Sequence, residues 1–238
     1  MGQIVAVGNT KGGVGKTTLA INFAIARARL NRDVLLVDGD EQGTAQSFTQ
    51  LRAETLGGSP GYTAISLQGV ALRTQLRQLK SKYQEIVVDV GGRDTGSLRA
   101  ALTVAQTLVV PVQPRTFDIW ALDSLSVLID EAKTINPDLA VIVVLNSADP
   151  QGSDNDEAAK QISEIPAFSL VRTFIGRRKA FANAAAAGLS VLEYKPRDSK
   201  AIEELNACVN AAFEFNNEET EGRADGHREE SAQKLRQG

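Results

Sequence analysis

Short apolar runs recur along the chain, and stretches with helical spacing separate them. Continuous β-branched runs that alternate with helices are typical of a parallel sheet covered by helices on both faces. We therefore predict a single α/β domain built on a mostly parallel, twisted sheet. The predicted strands are Ile4–Val7, Val34–Val37, Ile86–Val88, Leu108–Val110 and Val141–Leu145, with a short one at Ser169–Val171. The predicted helices cover Leu19–Ala26 and residues near 43–53, 70–82, 96–105, 117–134 and 155–163.

The pattern is interrupted in two regions. Residues 55–69 contain four glycines and one proline, and we expect an irregular loop there. After residue 215 the chain is polar, and Leu235 is the only large aliphatic side chain in that segment. Such a segment buries too little apolar surface to offset its ordering entropy. We predict a folded domain over residues 1–215 and a disordered tail over 216–238, which is either simply solvated or binds a partner.

The composition argues against several kinds of site. The single cysteine, Cys208, excludes an internal disulfide framework and a four-cysteine metal site, and its apolar surroundings indicate a core residue. The only histidine, His227, lies in the polar tail, which argues against histidine-based catalysis. No apolar run approaches the ~20 residues of a membrane span, and residues 1–8 lack the basic start of a signal peptide. We expect a protein of the reducing cytoplasm.

Residues 9–18, Asn-Thr-Lys-Gly-Gly-Val-Gly-Lys-Thr-Thr, lie between the first predicted strand and the first predicted helix. Strand, glycine loop and helix start, in this order, are the context in which a P-loop binds nucleotide phosphates. Glycines let backbone N–H groups approach phosphate oxygens, and the helix start adds unsatisfied donors and partial positive charge. Lys16 is placed to reach the β- and γ-phosphates, and the Thr17 hydroxyl to ligate Mg²⁺. Thr10 stands where the strict motif has glycine.

Lys11 is a second lysine that an ordinary P-loop does not require. The segment Lys-Gly-Gly-Val-Gly-Lys-Thr-Thr resembles the deviant Walker A motif of the ParA/MinD family of P-loop ATPases, and the resemblance covers most of residues 1–215. It implies ATP and Mg²⁺ as cofactors and a face-to-face homodimer in the ATP-bound state. Lys11 would then reach the phosphates bound by the other subunit, with Lys16 as the ordinary P-loop lysine. The implied nucleotide-binding residues of the loop are Lys11, Gly12, Gly13, Val14, Gly15, Lys16, Thr17 and Thr18.

Three carboxylates directly follow or end predicted strands. Residues 38–43 resemble the family's D-x-D-P-Q-G segment, with Glu41 in place of proline. By this resemblance Asp40 orients the water that attacks ATP, and Asp38 supports either the Mg²⁺ shell or the loop. Asp89 ends an apolar run in the manner of a Walker B strand, so we expect its carboxylate to hold Mg²⁺, usually through water. The expected catalytic residues are Lys11, Lys16 and Asp40, and the expected metal-binding residues are Thr17, Asp38 and Asp89.

Three further residues lie in loops at the predicted edge of the sheet or in a later loop. Asn146 follows the fifth predicted strand and is either an adenine contact, as in some relatives, or a turn residue. Pro196 is a second candidate for flanking the base. Asp118 belongs to a loop that contributes to the dimer face in relatives, but we favour it as the N-cap of a helix beginning near Ile119.

The net charge is −3, yet residues 172–200 carry seven Lys and Arg against two acidic residues, a local charge of +5. A local basic patch matters more to a polyanion than the net charge does. Residues 174–183 are expected to open a helix with three consecutive cations. In ParA-type relatives, cations of this region bind DNA without sequence preference once the dimer has formed, and such phosphate contacts weaken with salt. The expected DNA-binding residues are Arg172, Arg177, Arg178, Lys179, Arg197 and Lys200; the alternative is a solvated helix face.

The resemblance implies a ParA-type ATPase that is cytoplasmic and nucleoid-associated. Its ATP dimer would bind double-stranded DNA non-specifically, and a separately encoded partner would stimulate slow hydrolysis. The cycle would segregate or position a cargo, whether a plasmid, a chromosome region or a protein assembly. A MinD-like membrane ATPase is one alternative, but residues 201–215 contain three Glu, no Lys or Arg, and apolar residues suited to docking on the core. We therefore expect no membrane binding. A P-loop biosynthetic ligase or amidotransferase is the second alternative.

Overall fold

Parallel strands and covering helices alternate along the chain in the computed structural model, which describes residues 2–92, 95–151 and 153–214. The strands are β1 (Gln3–Val7), β2 (Val34–Asp38), β3 (Thr63–Ser66), β4 (Glu85–Asp89), β5 (Thr107–Val112), β6 (Ala140–Ala148), β7 (Ser169–Leu170) and β8 (Ile175–Gly176). The helices are α1 (Lys16–Ala28), α2 (Thr44–Thr55), α3 (Ala71–Leu79), α4 (Thr95–Leu102), α5 (Thr116–Lys133), α6 (Asp154–Ser163), α7 (Lys179–Ala186) and α8 (199–214).

The strands form one open sheet in the order β3-β2-β4-β1-β5-β6-β7, and β8 also pairs with β6. The strand pairs of this sheet are parallel, as the unbroken apolar runs predicted. Val7 and Asp38 both lie beside Asp89 in the register, so β1, β2 and β4 end at the same level. The loops that follow these three strands therefore meet at one edge of the sheet, where ligands bind in folds of this kind.

Two apolar cores lie on the two faces of the sheet, because successive side chains of a strand point to opposite faces. Ile4 and Ala6 of β1 pack in a core with α3, α4, α5 and α6. Val5 and Val7 pack in the other core with α1, α2, α7 and α8. The prediction of a single α/β domain with helices on both faces is confirmed.

The expectation that residues 55–69 form an irregular loop is wrong in part. Residues Thr63–Ser66 form the edge strand β3, and Ala64 pairs with Leu36 of β2. The strand is short and has exposed residues at both ends, as edge strands commonly do. Its four residues lack the apolar run of a central strand, and only the two central residues, Ala64 and Ile65, are half-buried.

The helix expected to open at residue 174 begins later. Ile175 is buried and pairs with Asn146, so Ile175–Gly176 forms a strand instead of a helical turn. The backbone of Arg178 is extended, and α7 starts at Lys179. Of the three consecutive cations, only Lys179 lies on the helix.

The last described helix, α8, docks on the core as its apolar spacing predicted. Leu205, Val209 and Phe213 are buried, and the rings of Phe213 and Phe23 pack edge to face with centroids 6.3 Å apart. Cys208 is a buried free thiol in the same core, as expected. The polar tail predicted for residues 216–238 lies outside the described residues.

An ion pair between the buried Arg52 and the partly exposed Glu193 fastens α2 to the segment that leads towards α8. Both terminal nitrogens of the Arg52 guanidinium donate to the Glu193 carboxylate, at 2.7 and 2.9 Å. The guanidinium also donates to the carbonyl oxygens of Pro60 and Gly188. Burial alone would raise the pKa of Glu193, but the hydrogen bonds from Arg52 and the Ser190 amide, together with the Arg52 charge, hold that pKa below its ordinary value.

Candidate nucleotide-binding site

The glycine loop between β1 and α1 requires glycine at Gly15. Gly13 and Gly15 have positive φ angles of 74° and 96°, a conformation that L-residues with a side chain rarely adopt. A Cβ atom at Gly15 would also lie 2.1 Å from the amide nitrogen of Asn146. That nitrogen donates a 2.7 Å hydrogen bond to the Val14 carbonyl. Asn146 therefore binds the glycine loop itself. We had predicted either an adenine contact or a turn residue, and neither prediction included this hydrogen bond.

Two further amide side chains hold the loop, and sequence reasoning missed both. Asn9 is fully buried; its nitrogen donates to the Pro111 carbonyl at 2.8 Å and its oxygen accepts from the Lys11 amide at 3.0 Å. Gln113 donates to the Gly13 carbonyl at 3.1 Å. The loop is thus fixed to the end of β5 and to the residue that follows it. The available signal was the position of both amides directly after apolar strands.

Lys16 is the first residue of α1 and points into the site. Its side chain is largely buried, and its ammonium group donates a 2.7 Å hydrogen bond to the Lys11 carbonyl. Burial lowers the pKa of Lys16, while the charges of Asp89 and Asp40 oppose that shift. A partly desolvated cation held between carboxylates and the glycine loop is suited to an anionic ligand.

Lys11 forms an ion pair with Asp118 in the same chain. The distance from Lys11 Nζ to Asp118 Oδ1 is 3.0 Å, and the two side chains are 40% and 10% exposed. Asp118 is not the N-cap that we favoured, because α5 begins at Thr116 after Arg115 and places Asp118 within its first turn. An acidic residue there is still favoured by the positive end of the helix dipole.

Asp38 and Asp40 differ in their surroundings. Both oxygens of the buried Asp38 accept backbone N–H groups, from Asp40 at 3.2 Å and from Gln46 at 2.8 Å. These hydrogen bonds are what we expect if Asp38 supports the loop. Its alternative role in the Mg²⁺ shell stays a prediction. The Asp40 carboxylate lies against Gly91, where an added Cβ would come 2.8 Å from Asp40 Cγ. The loops after β2 and β4 therefore meet at Asp40.

Asp89 is deeply buried. Its two carboxylate oxygens meet no donor at full hydrogen-bond geometry, although the Thr17 hydroxyl lies near enough to favour the charged form. Burial raises the pKa of Asp89 to about 7; the carboxylates of Asp38 and Asp40 add to this effect, and the Thr17 hydroxyl and Lys16 charge oppose it. Leaving a buried carboxylate unpaired is costly, and a divalent cation would remove that cost. Asp89 and Thr17 therefore fit Mg²⁺, which proteins commonly hold with few side chains plus phosphate oxygens.

Several of these groups line one cleft of about 680 Å³. Its walls come from the glycine loop and the loops after β2 and β4, namely Gly12, Gly13, Gly15, Lys16, Thr17, Thr18, Asp40, Glu41, Gln42 and Gly92. Pro196 instead lines a separate hollow with Tyr194, Arg197 and Lys200. The structure thus joins the P-loop and Asp40 in one cleft, while Asp38 and Asp89 end the neighbouring strands beside it without lining it. Pro196 lies elsewhere, and its contact with a base stays a prediction.

The predicted DNA-binding cations lie near the C-terminal helices, with one difference among them. Arg178 is partly buried and donates to both oxygens of Glu204, at 2.9 and 2.5 Å. Its charge is therefore balanced within the domain. The other five are exposed: Arg172, Arg177, Lys179, Arg197 and Lys200.

A family model described as the CobQ/CobB/MinD/ParA nucleotide binding domain matches residues 5–191. The chain belongs to this family. Maintenance of carboxysome distribution protein A from Gloeobacter kilaueensis is 35% identical over 207 residues, which cover 84% of this chain and 89% of the relative. The chromosome-partitioning ATPase Soj of Thermus thermophilus is 29% identical over 221 residues, covering 81% and 88%. The resemblance inferred from the P-loop is confirmed, and the chain is a ParA/MinD-type ATPase.

A solved structure of a Cyanothece McdA variant in complex with ATP superposes on this member of the family with a TM-score of 0.73. The two chains are 16% identical, and the match covers 89% of this chain and 96% of the other. The superposition supports the fold of the domain. Within the part of the chain that the structure describes, no helix is long and apolar enough to cross a bilayer.

Proposed function

We propose that this ATPase binds ATP with Mg²⁺, dimerises in that state, binds DNA non-specifically and positions a cargo through cycles of hydrolysis. The observation that carries the proposal is the different placement of the two lysines of the glycine loop. Lys16 is buried and lines the cleft, whereas Lys11 is 40% exposed and forms an ion pair with Asp118. A partly exposed lysine can exchange such a partner for a phosphate outside its own subunit.

Each step of hydrolysis has a residue suited to it. The glycine loop and Lys16 hold the phosphates, and Thr17 and Asp89 hold the Mg²⁺, which when bound neutralises charge on the phosphate oxygens. Asp40 orients the attacking water, since it lines the same cleft as Lys16 and the glycine loop. Phosphoryl transfer needs positioning and charge stabilisation more than covalent help, so this small set of residues suffices.

Dimerisation uses Lys11. To reach a phosphate across the interface, its ammonium group leaves Asp118 and exchanges one anionic partner for another. The ion pair with Asp118 is therefore a feature of the monomer, and ATP supplies the competing charge.

DNA binding uses the exposed cations of residues 172–200 as phosphate contacts. Arg177 and Lys179 flank the paired Arg178 and are the strongest candidates, because their charge is not balanced by Glu204. A dimer doubles the number of contacts, which makes DNA affinity follow the nucleotide state. The relatives named for carboxysome distribution and chromosome partitioning support a cargo-positioning role. A separately encoded adaptor that stimulates hydrolysis is part of the proposal.

The proposal is tested by measuring binding to random-sequence duplex DNA with ADP, ATP and a non-hydrolysable analogue across a salt series. We expect ATP-selective binding. Arg177→Ala/Lys179→Ala removes four contacts per dimer, so the salt slope should fall by roughly 3 to 4. Lys82→Ala/Lys160→Ala is the matched control, since both residues are exposed and lie outside the basic segment. Equal binding with ADP and ATP, or equal loss in the control, would refute the proposal.

A further inference from the structure

Helix α3 carries three cations along one side. Arg73, Arg77 and Lys80 follow one another at spacings of four and three residues, which places them on the same side of a helix. Arg77 is exposed, and Arg73 and Lys80 are partly exposed. None of the three forms an ion pair with a residue that the structure describes. We name these three residues the α3 basic stripe.

The segment that contains the α3 basic stripe has no acidic residue. Residues 55–84 contain four Lys and Arg and no Asp or Glu. Glu85, which follows, is buried and already pairs with Arg27 and Arg32. Helix α4, which packs beside α3, contains one Arg and no acidic residue. The stripe is therefore a surface of uncompensated positive charge on a chain whose net charge is −3.

The rest of the exposed side of α3 is polar and uncharged. Leu72 and Leu76 are buried in the core, and no large apolar residue is exposed on this helix, which the structure describes throughout. The exposed neighbours of the stripe carry hydroxyl and amide groups, namely Thr74, Gln75, Gln78 and Ser81. Cations together with hydroxyl and amide groups are the side chains that contact phosphates, and DNA interfaces are more polar and more positive than protein interfaces.

A protein partner and a membrane fit this surface less well than DNA does. Protein interfaces depend on large apolar or aromatic anchors, and α3 exposes none. A helix that enters a bilayer surface buries its apolar side there, but Leu72 and Leu76 already pack in the core. Three cations without apolar contacts give only weak attraction to anionic headgroups.

We propose that the α3 basic stripe binds the phosphate backbone of a second DNA duplex, so that the protein bridges two DNA segments. The first segment is the one bound by residues 172–200, so the bridging rests on the proposed function. Helices α3 and α7 pack in the cores on opposite faces of the sheet, and their exposed sides point away from each other. Because a duplex is stiff over the width of one domain, a single segment does not reach both surfaces of one protomer.

Lys80 gives this reading additional support. Partial burial lowers the pKa of Lys80, because the charged form is less well solvated there. A phosphate beside it would offset that cost, and the two arginines of the stripe are suited to bind phosphate oxygens through paired N–H groups.

Bridging is measured with the full chain and a non-hydrolysable ATP analogue. Beads carry one random-sequence duplex, and the capture of a second, labelled duplex from solution is recorded; binding of the labelled duplex without beads is measured by fluorescence anisotropy. Arg73→Ala/Arg77→Ala should lower capture by roughly 10-fold or more, because each lost phosphate contact also removes counterion release. Binding of a single duplex through residues 172–200 should be retained.

Two controls accompany that variant. Arg73→Lys/Arg77→Lys keeps the charge and should retain capture. Lys133→Ala/Lys160→Ala removes two cations from α5 and α6, which pack on the same face of the sheet as α3, and should also retain capture. Equal capture by wild type and Arg73→Ala/Arg77→Ala, or a comparable loss in either control, would overturn the proposal.

Poly-glutamate and vesicles of phosphatidylserine and phosphatidylcholine test the other occupants. If wild type binds either probe, and Arg73→Ala/Arg77→Ala loses that binding while capture of DNA is unchanged, the surface serves an acidic protein or a membrane and the proposal is overturned.

The DNA measurements separate this proposal from the proposed function. If duplex binding is ATP-selective and is lost in Arg177→Ala/Lys179→Ala, but wild type captures no second duplex, the bridging proposal fails and the proposed function stands. If Arg177→Ala/Lys179→Ala leaves duplex binding intact and Arg73→Ala/Arg77→Ala removes it, the α3 basic stripe stands as a DNA surface. The assignment of DNA binding to residues 172–200 then fails.

Discussion

Replacing Asp118 with asparagine is expected to strengthen ATP-dependent dimerisation. In the monomer Lys11 Nζ lies 3.0 Å from Asp118 Oδ1, and this ion pair must open before Lys11 can reach a nucleotide in the other subunit. Asp118→Asn keeps the shape of the side chain and its place in the first turn of α5 while removing the charge. The monomer loses a stabilising contact that the proposed dimer does not use.

The magnitude follows from the exposure of the pair. Lys11 is 40% exposed and Asp118 10% exposed, so solvent screens the attraction and the pair contributes about 1 kcal/mol. A symmetric dimer opens two such pairs, which gives about 2 kcal/mol, or roughly a 30-fold lower dimer dissociation constant.

Sedimentation or mass photometry across a concentration series, with a non-hydrolysable ATP analogue, measures that constant directly. Asp123→Asn is the control, because it removes an exposed carboxylate from the same helix. Lys11→Ala should abolish the dimer in both backgrounds. An unchanged or higher dissociation constant in Asp118→Asn, with normal nucleotide binding, would refute the idea that Asp118 competes with the second subunit.

Three other predictions follow from the site and its supports. Gly15→Ala is expected to abolish nucleotide binding in equilibrium dialysis, because its Cβ would overlap the Asn146 amide nitrogen at 2.1 Å and its φ is 96°. Asp40→Ala should retain nucleotide but lower the hydrolysis rate by about 10² to 10⁴, as measured by phosphate release; full activity would exclude Asp40 from positioning the water. Arg52→Met should lower the free energy of unfolding by about 2 to 3 kcal/mol, since it removes the two charged hydrogen bonds to the partly exposed Glu193, and thermal melts should show a drop of about 5 to 10 °C. The pKa of Glu193 is lower in the folded than in the unfolded protein. The stabilisation is therefore present above the unfolded pKa of about 4.3 and is lost as the pH falls towards the folded pKa. A difference in melting temperature between wild type and Arg52→Met that does not change with pH below about 4.3 would contradict this account.

Much of the fold and the centre of the site could be read from local patterns. The strand, glycine loop and helix around Lys16 occupy consecutive residues, so their geometry is set by backbone chemistry within a short segment. The carboxylates Asp38 and Asp89 follow apolar runs, and a parallel sheet brings the ends of such strands together. Spacing alone therefore predicted that these two strand ends lie side by side at one edge of the sheet.

The errors arose where a distant partner decided the outcome. Thr63–Ser66 is a strand because β2 offers it a pairing edge, and its own composition is that of a loop. Ile175 is a strand residue because β6 lies beside it and its side chain is buried in the core. In both cases hydrogen bonds between segments far apart in sequence outweighed the weak local preference.

The sequence by itself determined the family, the nucleotide loop, the carboxylates at the strand ends and the basic segment, because each of these is a local pattern of residue types. Only the tertiary structure decided how the charged groups are used. It pairs Lys11 with Asp118, balances Arg178 with Glu204, and places helices α5 and α7 against opposite faces of the sheet. The physical reason is that the strength of a charge interaction depends on distance and burial in space, which residue spacing along the chain does not fix.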